Sequence, residues 1–204
     1  MPRPARRPVM TLREVAPHSF IYEIPQALPG DVCREMLRRF EERIEQQYPG
    51  RIGTQLSEEA SIKKTTDLFV SAHEDWRDID GVLRQSLGTA LRDVAREFPF
   101  FGVNRFKDIG YNLQRYLPGE YYHWHIDSGP GEFMSRQLVA LWYLNDVEGP
   151  GGETEFALQG IRVRPQQGKL GRLVLFPPFW THIHRAVTLE KGVKYIATTW
   201  VCFA

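Results

Sequence analysis

A single residue separates His125 from Asp127, and a further imidazole follows far downstream in the run Thr181-His-Ile-His184. On an extended strand, residues two apart project to the same side. His125 and Asp127 can therefore aim an imidazole nitrogen and a carboxylate oxygen at one point. A third imidazole from a distant strand, His184, completes one face of an octahedron. Two neutral nitrogens and one anionic oxygen, with three positions left open, are the donor set that holds Fe(II) for oxygen chemistry. The open positions matter because a cosubstrate and O2 must both reach the metal.

His-x-Asp alone is a weak signal, since it also fits a surface strand with outward polar side chains. A second constellation strengthens it. The tenth residue after His184 is Lys194, which opens the β-branched and aromatic run Lys194-Tyr-Ile-Ala-Thr-Thr-Trp200 after the turn residues Glu190-Lys-Gly192. That run reads as a strand. A lysine one strand beyond a metal-binding histidine can hold the far carboxylate of a dicarboxylic acid whose other end chelates the metal. His123 and His182 each precede a chosen ligand by two and compete with it. The spacings to Asp127 and Lys194 select His125 and His184, and leave His123 and His182 as packed or solvated residues with open roles. Tyr122, His123 and Trp124 beside His125, with Arg115 or Arg136, sketch an aromatic and partly basic mouth.

Four pieces, in order, carry a resemblance. They are Tyr116-x-x-Gly119-x-x-Tyr122-x-x-His125-x-Asp127; then Leu141-Trp-Tyr-Leu-Asn145 with Gly151-Gly-Glu-Thr-Glu-Phe156; then Val163-x-Pro165-x-x-Gly168 leading into Leu175-Phe-Pro177; and last His184 with Lys194 and Trp200. Residues 109–203 resemble the catalytic domain of the prolyl 4-hydroxylase type of 2-oxoglutarate/Fe(II)-dependent dioxygenases. The resemblance implies Fe(II) on His125, Asp127 and His184, with 2-oxoglutarate and O2 as cosubstrates and ascorbate as reductant. It implies Lys194, Tyr143, Tyr116 and Thr198 as cosubstrate-binding residues. The reaction implied is hydroxylation of a C–H bond, with release of succinate and CO2, on a prolyl residue of a peptide or protein. A free amino acid or small metabolite is the alternative substrate. A non-catalytic jelly-roll sensor of 2-oxoglutarate or oxygen is the alternative from another class. The related halogenases lack the carboxylate supplied by Asp127, which favours hydroxylation. The nucleic-acid demethylases of this kind carry a pair of arginines after the last histidine, where this chain has Lys194, so no nucleic acid is expected.

The elements that must position these residues follow from periodicity. From about Ile109 onward, short strands alternate with Gly, Pro and Asp turns, the pattern of a small sandwich or barrel. The expected fold is α+β: a double-stranded β-helix (jelly roll) core with N-terminal helices packed on one sheet. Residues 109–204 are the expected core and 18–108 a helical and strand lead-in. Within the lead-in, Phe20 to Ile24 reads as a strand. A helix starts at Pro29-Gly-Asp31 with Val32, Met36, Leu37, Phe40 and Ile44 on its apolar face. Arg51 to Lys64 reads as a polar loop and candidate lid, and Thr65 to Ser71 as a strand. A second helix spans Asp78 to Phe98, facing in through Ile79, Val82, Leu83, Leu87, Leu91 and Val94.

Residues 1–17, basic and proline-rich at Pro2-Arg-Pro-Ala-Arg-Arg-Pro8, are expected to form a disordered tail. A chain of 204 residues with a formal net charge of +1 can bury a sizeable core and carries no excess charge for nucleic acid or anionic membranes. It has no run of about eighteen apolar residues for a membrane span and no secretory leader pattern. Cys33 and Cys202, far apart, read as reduced thiols of a cytoplasmic protein. The oligomeric state is not legible.

Overall fold

The computed structural model describes residues 12–53, 55–165 and 170–204. Gly168 of the third motif and the basic run from Pro2 to Pro8 lie outside the described residues. Numbered along the chain, the described strands form two antiparallel sheets. The larger runs β1 (Arg13–Glu14), β2 (Tyr22–Ile24), β12 (Arg172–Phe176), β9 (Arg136–Tyr143), β14 (Lys194–Phe203), β7 (Asn112–Tyr116), β5 (Thr66–Phe69) and β3 (Tyr48–Pro49), with β6 (Phe106–Asp108) also on β14. The smaller runs β11 (Ile161–Val163), β10 (Thr154–Phe156), β13 (His184–Ala186), β8 (Tyr121–His125) and β4 (Lys63–Lys64).

Strand alternation divides the core into two layers. On β14, Ile196 faces the smaller sheet while Ala197 and Val201 face away; on β9, Val139, Leu141 and Tyr143 oppose Ala140 and Trp142 in the same manner. The inward set meets Phe156, Val163 and Ala186 of the smaller sheet, so the two sheets pack face to face as a jelly roll. The outward set is covered by two helices, α1 (Gly30–Glu42) and α2 (Arg77–Glu97). α1 buries Cys33, Met36 and Phe40, and α2 buries Ile79, Leu83, Ser86, Leu87, Ala90 and Val94, both at the three- and four-residue steps of one helix face. Each fully buried Leu or Phe there contributes roughly 1.5–3 kcal/mol. The polar exception is satisfied: Ser86 donates to the Ala27 carbonyl at 2.9 Å and accepts the Trp142 indole N–H at 3.0 Å. Cys33 and Cys202 are both buried and unpaired. No described helix is long and apolar enough to cross a membrane.

The lead-in differs from expectation in three ways. Residues 12–17, expected as part of the tail, include β1, which pairs with β2. The strands before residue 109 are not merely packed on the core. β2 pairs with β12, β5 with β7, and β4 with β8, so the N-terminal half completes both sheets. α1 stops at Glu42, which leaves Ile44 in a short 3-10 turn and 72% exposed rather than on the apolar face. These strands are two to four residues long, and their pairing is decided by distant partners rather than by local periodicity.

Candidate metal centre

β13 and β8 are neighbours, and His184 sits directly opposite His125 in their register. The third member, Asp127, lies just beyond the end of β8 rather than on it. One ligand atom from each of His125, Asp127 and His184 lies within 4.8 Å of the others, and His184 Nε2 stands 3.3 Å from Asp127 Oδ2. The ring nitrogens are already sorted. His125 Nδ1 faces the His123 carbonyl at 2.7 Å, and His184 Nδ1 faces the His182 carbonyl at 3.0 Å. A carbonyl only accepts, so each Nδ1 carries the proton and each Nε2 keeps its lone pair for a metal.

The protonation states suit ligation. Burial, reinforced by His184, pushes His125 down to about 3, so it is neutral over the physiological range. Burial opposes the charge of Asp127. The facing His184, with His125 and Arg136, nevertheless holds the carboxyl well below the usual carboxylate range. Tyr122 stacks on His125 with ring centroids 3.6 Å apart and 14° between planes, which restrains the imidazole plane.

The same cavity reaches Lys194, which is fully buried. Its Nζ makes no hydrogen bond and stands 4.5 Å from the Tyr116 ring centroid and 5.8 Å from that of Tyr143. Two more buried groups lining the cavity, Thr198 Oγ1 and Trp200 Nε1, are likewise without a hydrogen-bond partner. Buried polar groups are ordinarily paired. An ammonium and a hydroxyl left bare beside a two-imidazole, one-carboxylate cluster fit an anionic chelator with a distal carboxylate. The residues present thus fit both Fe(II) and 2-oxoglutarate.

The sequence-predicted residues are placed as follows. His125, Asp127, His184, Lys194, Tyr116 and Thr198 all line the cavity. Tyr143 does not line it: its hydroxyl donates to the Val163 carbonyl at 3.1 Å and contacts Thr154 Oγ1 at 2.6 Å. It reaches the cavity through Thr154. Tyr116 donates its hydroxyl to Gln114 Oε1 at 3.0 Å. His182 packs inside, with Nε2 on the Ser19 carbonyl at 2.9 Å, while His123 is exposed. Arg115 leaves the mouth altogether and pairs with Glu41 of α1 at 2.8 Å. Sequence reasoning passed over Gln114 and Thr154, both in the cavity wall. Strand alternation could have found Gln114, which shares a face with Tyr116, whereas Thr154 pairs with Val163 and Ala186 and is brought to the site by the packing of the two sheets.

Fold and site together define an iron- and 2-oxoglutarate-type jelly roll. The family model described as the 2OG-Fe(II) oxygenase superfamily matches residues 111–202. The Arabidopsis thaliana protein called Probable prolyl 4-hydroxylase 9 is 26% identical over 207 residues, which cover 87% of this chain and 66% of the relative, just under two thirds of its length. A PKHD-type hydroxylase of Klebsiella pneumoniae is 28% identical over 191 residues, 89% of this chain and 78% of the relative. A prolyl hydroxylase of Trichoplax adhaerens, solved with a hypoxia inducible factor oxygen degradation domain peptide fragment, shares the fold. It has a TM-score of 0.74 at 17% identity and covers 91% of this chain and 84% of its own. The chain is thus similar to prolyl 4-hydroxylase-like members of the 2OG-Fe(II) oxygenase superfamily.

Proposed function

We propose that this protein is a 2-oxoglutarate- and Fe(II)-dependent dioxygenase that hydroxylates a prolyl residue in a peptide or protein, with ascorbate as reductant. The observation that carries the reading is the bare, fully buried Lys194 ammonium in the same cavity as the His125, Asp127 and His184 cluster. The prolyl and polypeptide part is supported by what the relatives are called, and by the peptide held in the Trichoplax adhaerens structure.

When bound at this site, iron and 2-oxoglutarate would supply the oxidising chemistry, with O2 as oxidant and succinate and CO2 as the products of 2-oxoglutarate. The chain's own groups do the rest. Nε2 of His125 and of His184, with the Asp127 carboxylate, would hold the metal. Lys194 would neutralise the distal carboxylate of 2-oxoglutarate, and Thr198 would offer it a hydroxyl. Val139, Leu141, Phe176 and Ile196 wall the cavity with apolar surface, which keeps water from the reacting groups.

Succinate release from 2-oxoglutarate in the presence of Fe(II), ascorbate and a panel of proline-containing peptides tests the reading. Mass spectrometry should find a gain of about 16 mass units on a prolyl residue. Ala at His125, Asp127 or His184 should abolish turnover while the fold survives. Oxidation of free amino acids alone would overturn the polypeptide part. Wild-type succinate release from Asp127→Ala would overturn the site.

A further inference from the structure

Asp127 is the one member of the cluster that no strand ladder holds. β8 ends at His125, where the pairing with β13 also ends on that side. The Asp127 N–H donates to the Pro178 carbonyl at 3.0 Å. Its own carbonyl accepts Nη1 of Arg136 at 2.7 Å. These two bonds pin the peptide planes on either side of the Asp127 Cα, and so limit where its carboxylate can swing.

Arg136 is itself locked. Its guanidinium carbon lies 4.0 Å from the Phe133 ring centroid and 4.0 Å from that of Trp200, and the residue is buried. Strand alternation alone would not put it there. Val139, Leu141 and Tyr143 face the space between the sheets, so position 137 should face it and position 136 should not. The ladder between β9 and β14 breaks at this point: Val201 pairs with Leu138, but Cys202 pairs with Arg136. Gln137 is the extra residue, and the register change brings Arg136 alongside Trp200. A bulge of this kind re-aims a side chain next to a functional site.

We infer that Arg136 is a positioning residue for the metal ligand Asp127, delivered by the bulge at Gln137 and clamped by Phe133 and Trp200. The inference rests on the metal-site reading above. Groups one step removed from the ligands typically change metal affinity about ten- to a hundredfold.

The test is a Co(II) titration of the metal-free full chain, followed by visible absorption, with thermal unfolding of the same metal-free samples. Arg136→Met should bind Co(II) about ten- to a hundredfold more weakly, with a changed absorption band and an unchanged metal-free unfolding midpoint. Arg136→Lys keeps a donor for the Asp127 carbonyl and should recover most of the affinity. Wild-type affinity and band in Arg136→Met, or equal losses in the Lys and Met variants, would overturn the inference. If Arg136→Met does not fold, Phe133→Ala decides, because it releases one side of the clamp at a partly exposed residue of a short 3-10 turn. Weaker Co(II) binding there supports the inference and wild-type binding overturns it. A wild-type chain that binds no Co(II) would instead remove the metal-site reading itself.

Discussion

Lys194 is the residue on which the chemistry turns most sharply. Burial pushes its ammonium down from the usual 10.5 to about 7. Between those values the unfolded chain holds a proton that the folded chain has lost, so this residue's contribution to stability rises with pH across the window. A bound dicarboxylate works in the opposite sense, because it gives the ammonium a partner and favours the charged form. Above about pH 7, binding must therefore take up a proton. The affinity for 2-oxoglutarate should fall about tenfold per pH unit beyond that point, read by calorimetry between about pH 6 and 9. Lys194→Arg should flatten the profile, since a guanidinium stays charged. Lys194→Ala should weaken binding about a hundredfold or more, because a buried carboxylate would be left without its counter-charge. A flat wild-type profile would mean that another group carries the charge. Lys194 and the three ligand residues are legible in the sequence because their chemistry demands particular side chains at particular spacings. Arg136 is legible only as a candidate for the basic mouth; its place beside Asp127 is not, since alternation points it away and only a break in register turns it in.

Among the elements, β8 and β13 do the most, because they place two imidazoles opposite each other and orient both through carbonyls two residues upstream. The orienting groups at His123 and His182 are backbone atoms, so those side chains are not what the metal needs. His123→Ala should leave Co(II) affinity within about threefold of wild type, well short of the loss expected on removing a ligand. A larger loss would assign the exposed imidazole a direct role. A second device ties β4 of the smaller sheet to β5 of the larger. Lys63 Nζ and Asp67 Oδ2 form a buried pair at 2.6 Å, and Asp67 also accepts from Thr65 at 2.7 Å and Asn112 at 3.1 Å. Gly50 backs onto this pair so closely that a Cβ there would meet Thr65 Oγ1 at 2.1 Å. Removing one partner of a buried pair is far more costly than losing the pair's mutual attraction. Asp67→Ala should therefore destabilise the fold by about 3–5 kcal/mol in urea unfolding. A loss below about 1 kcal/mol would place the pair with ordinary surface bridges. None of this is legible in the polar stretch from Arg51 to Lys64, which reads as a loop. The two helices are legible, because an apolar stripe at helical spacing is written locally, whereas a two-residue strand is defined by its partner.

At the scale of the whole molecule, the motif-bearing segment and the physical unit do not coincide. The motifs run from residue 109 onward, yet the sheets carrying them are completed by the first half of the chain. β2 covers the edge of β12, β5 covers the edge of β7, and β4 covers β8 beside the metal ligands. α1 and α2 cover the face of the larger sheet that holds Trp142, Leu173 and Ala197, all fully buried. A fragment of residues 109–204 would expose that apolar face and leave unpaired edges on both sheets, which is a template for aggregation. It would also lose the Ser86 partner of the Trp142 indole N–H, leaving a donor in the core without its bond. The fragment should therefore show no cooperative thermal transition and no dispersed amide spectrum, whereas the full chain should unfold in one transition. Supplying residues 12–108 as a separate chain should restore Co(II) binding only where the two pieces associate. A fragment that melted cooperatively and bound Co(II) unaided would mean that the N-terminal strands decorate an independent core rather than complete it.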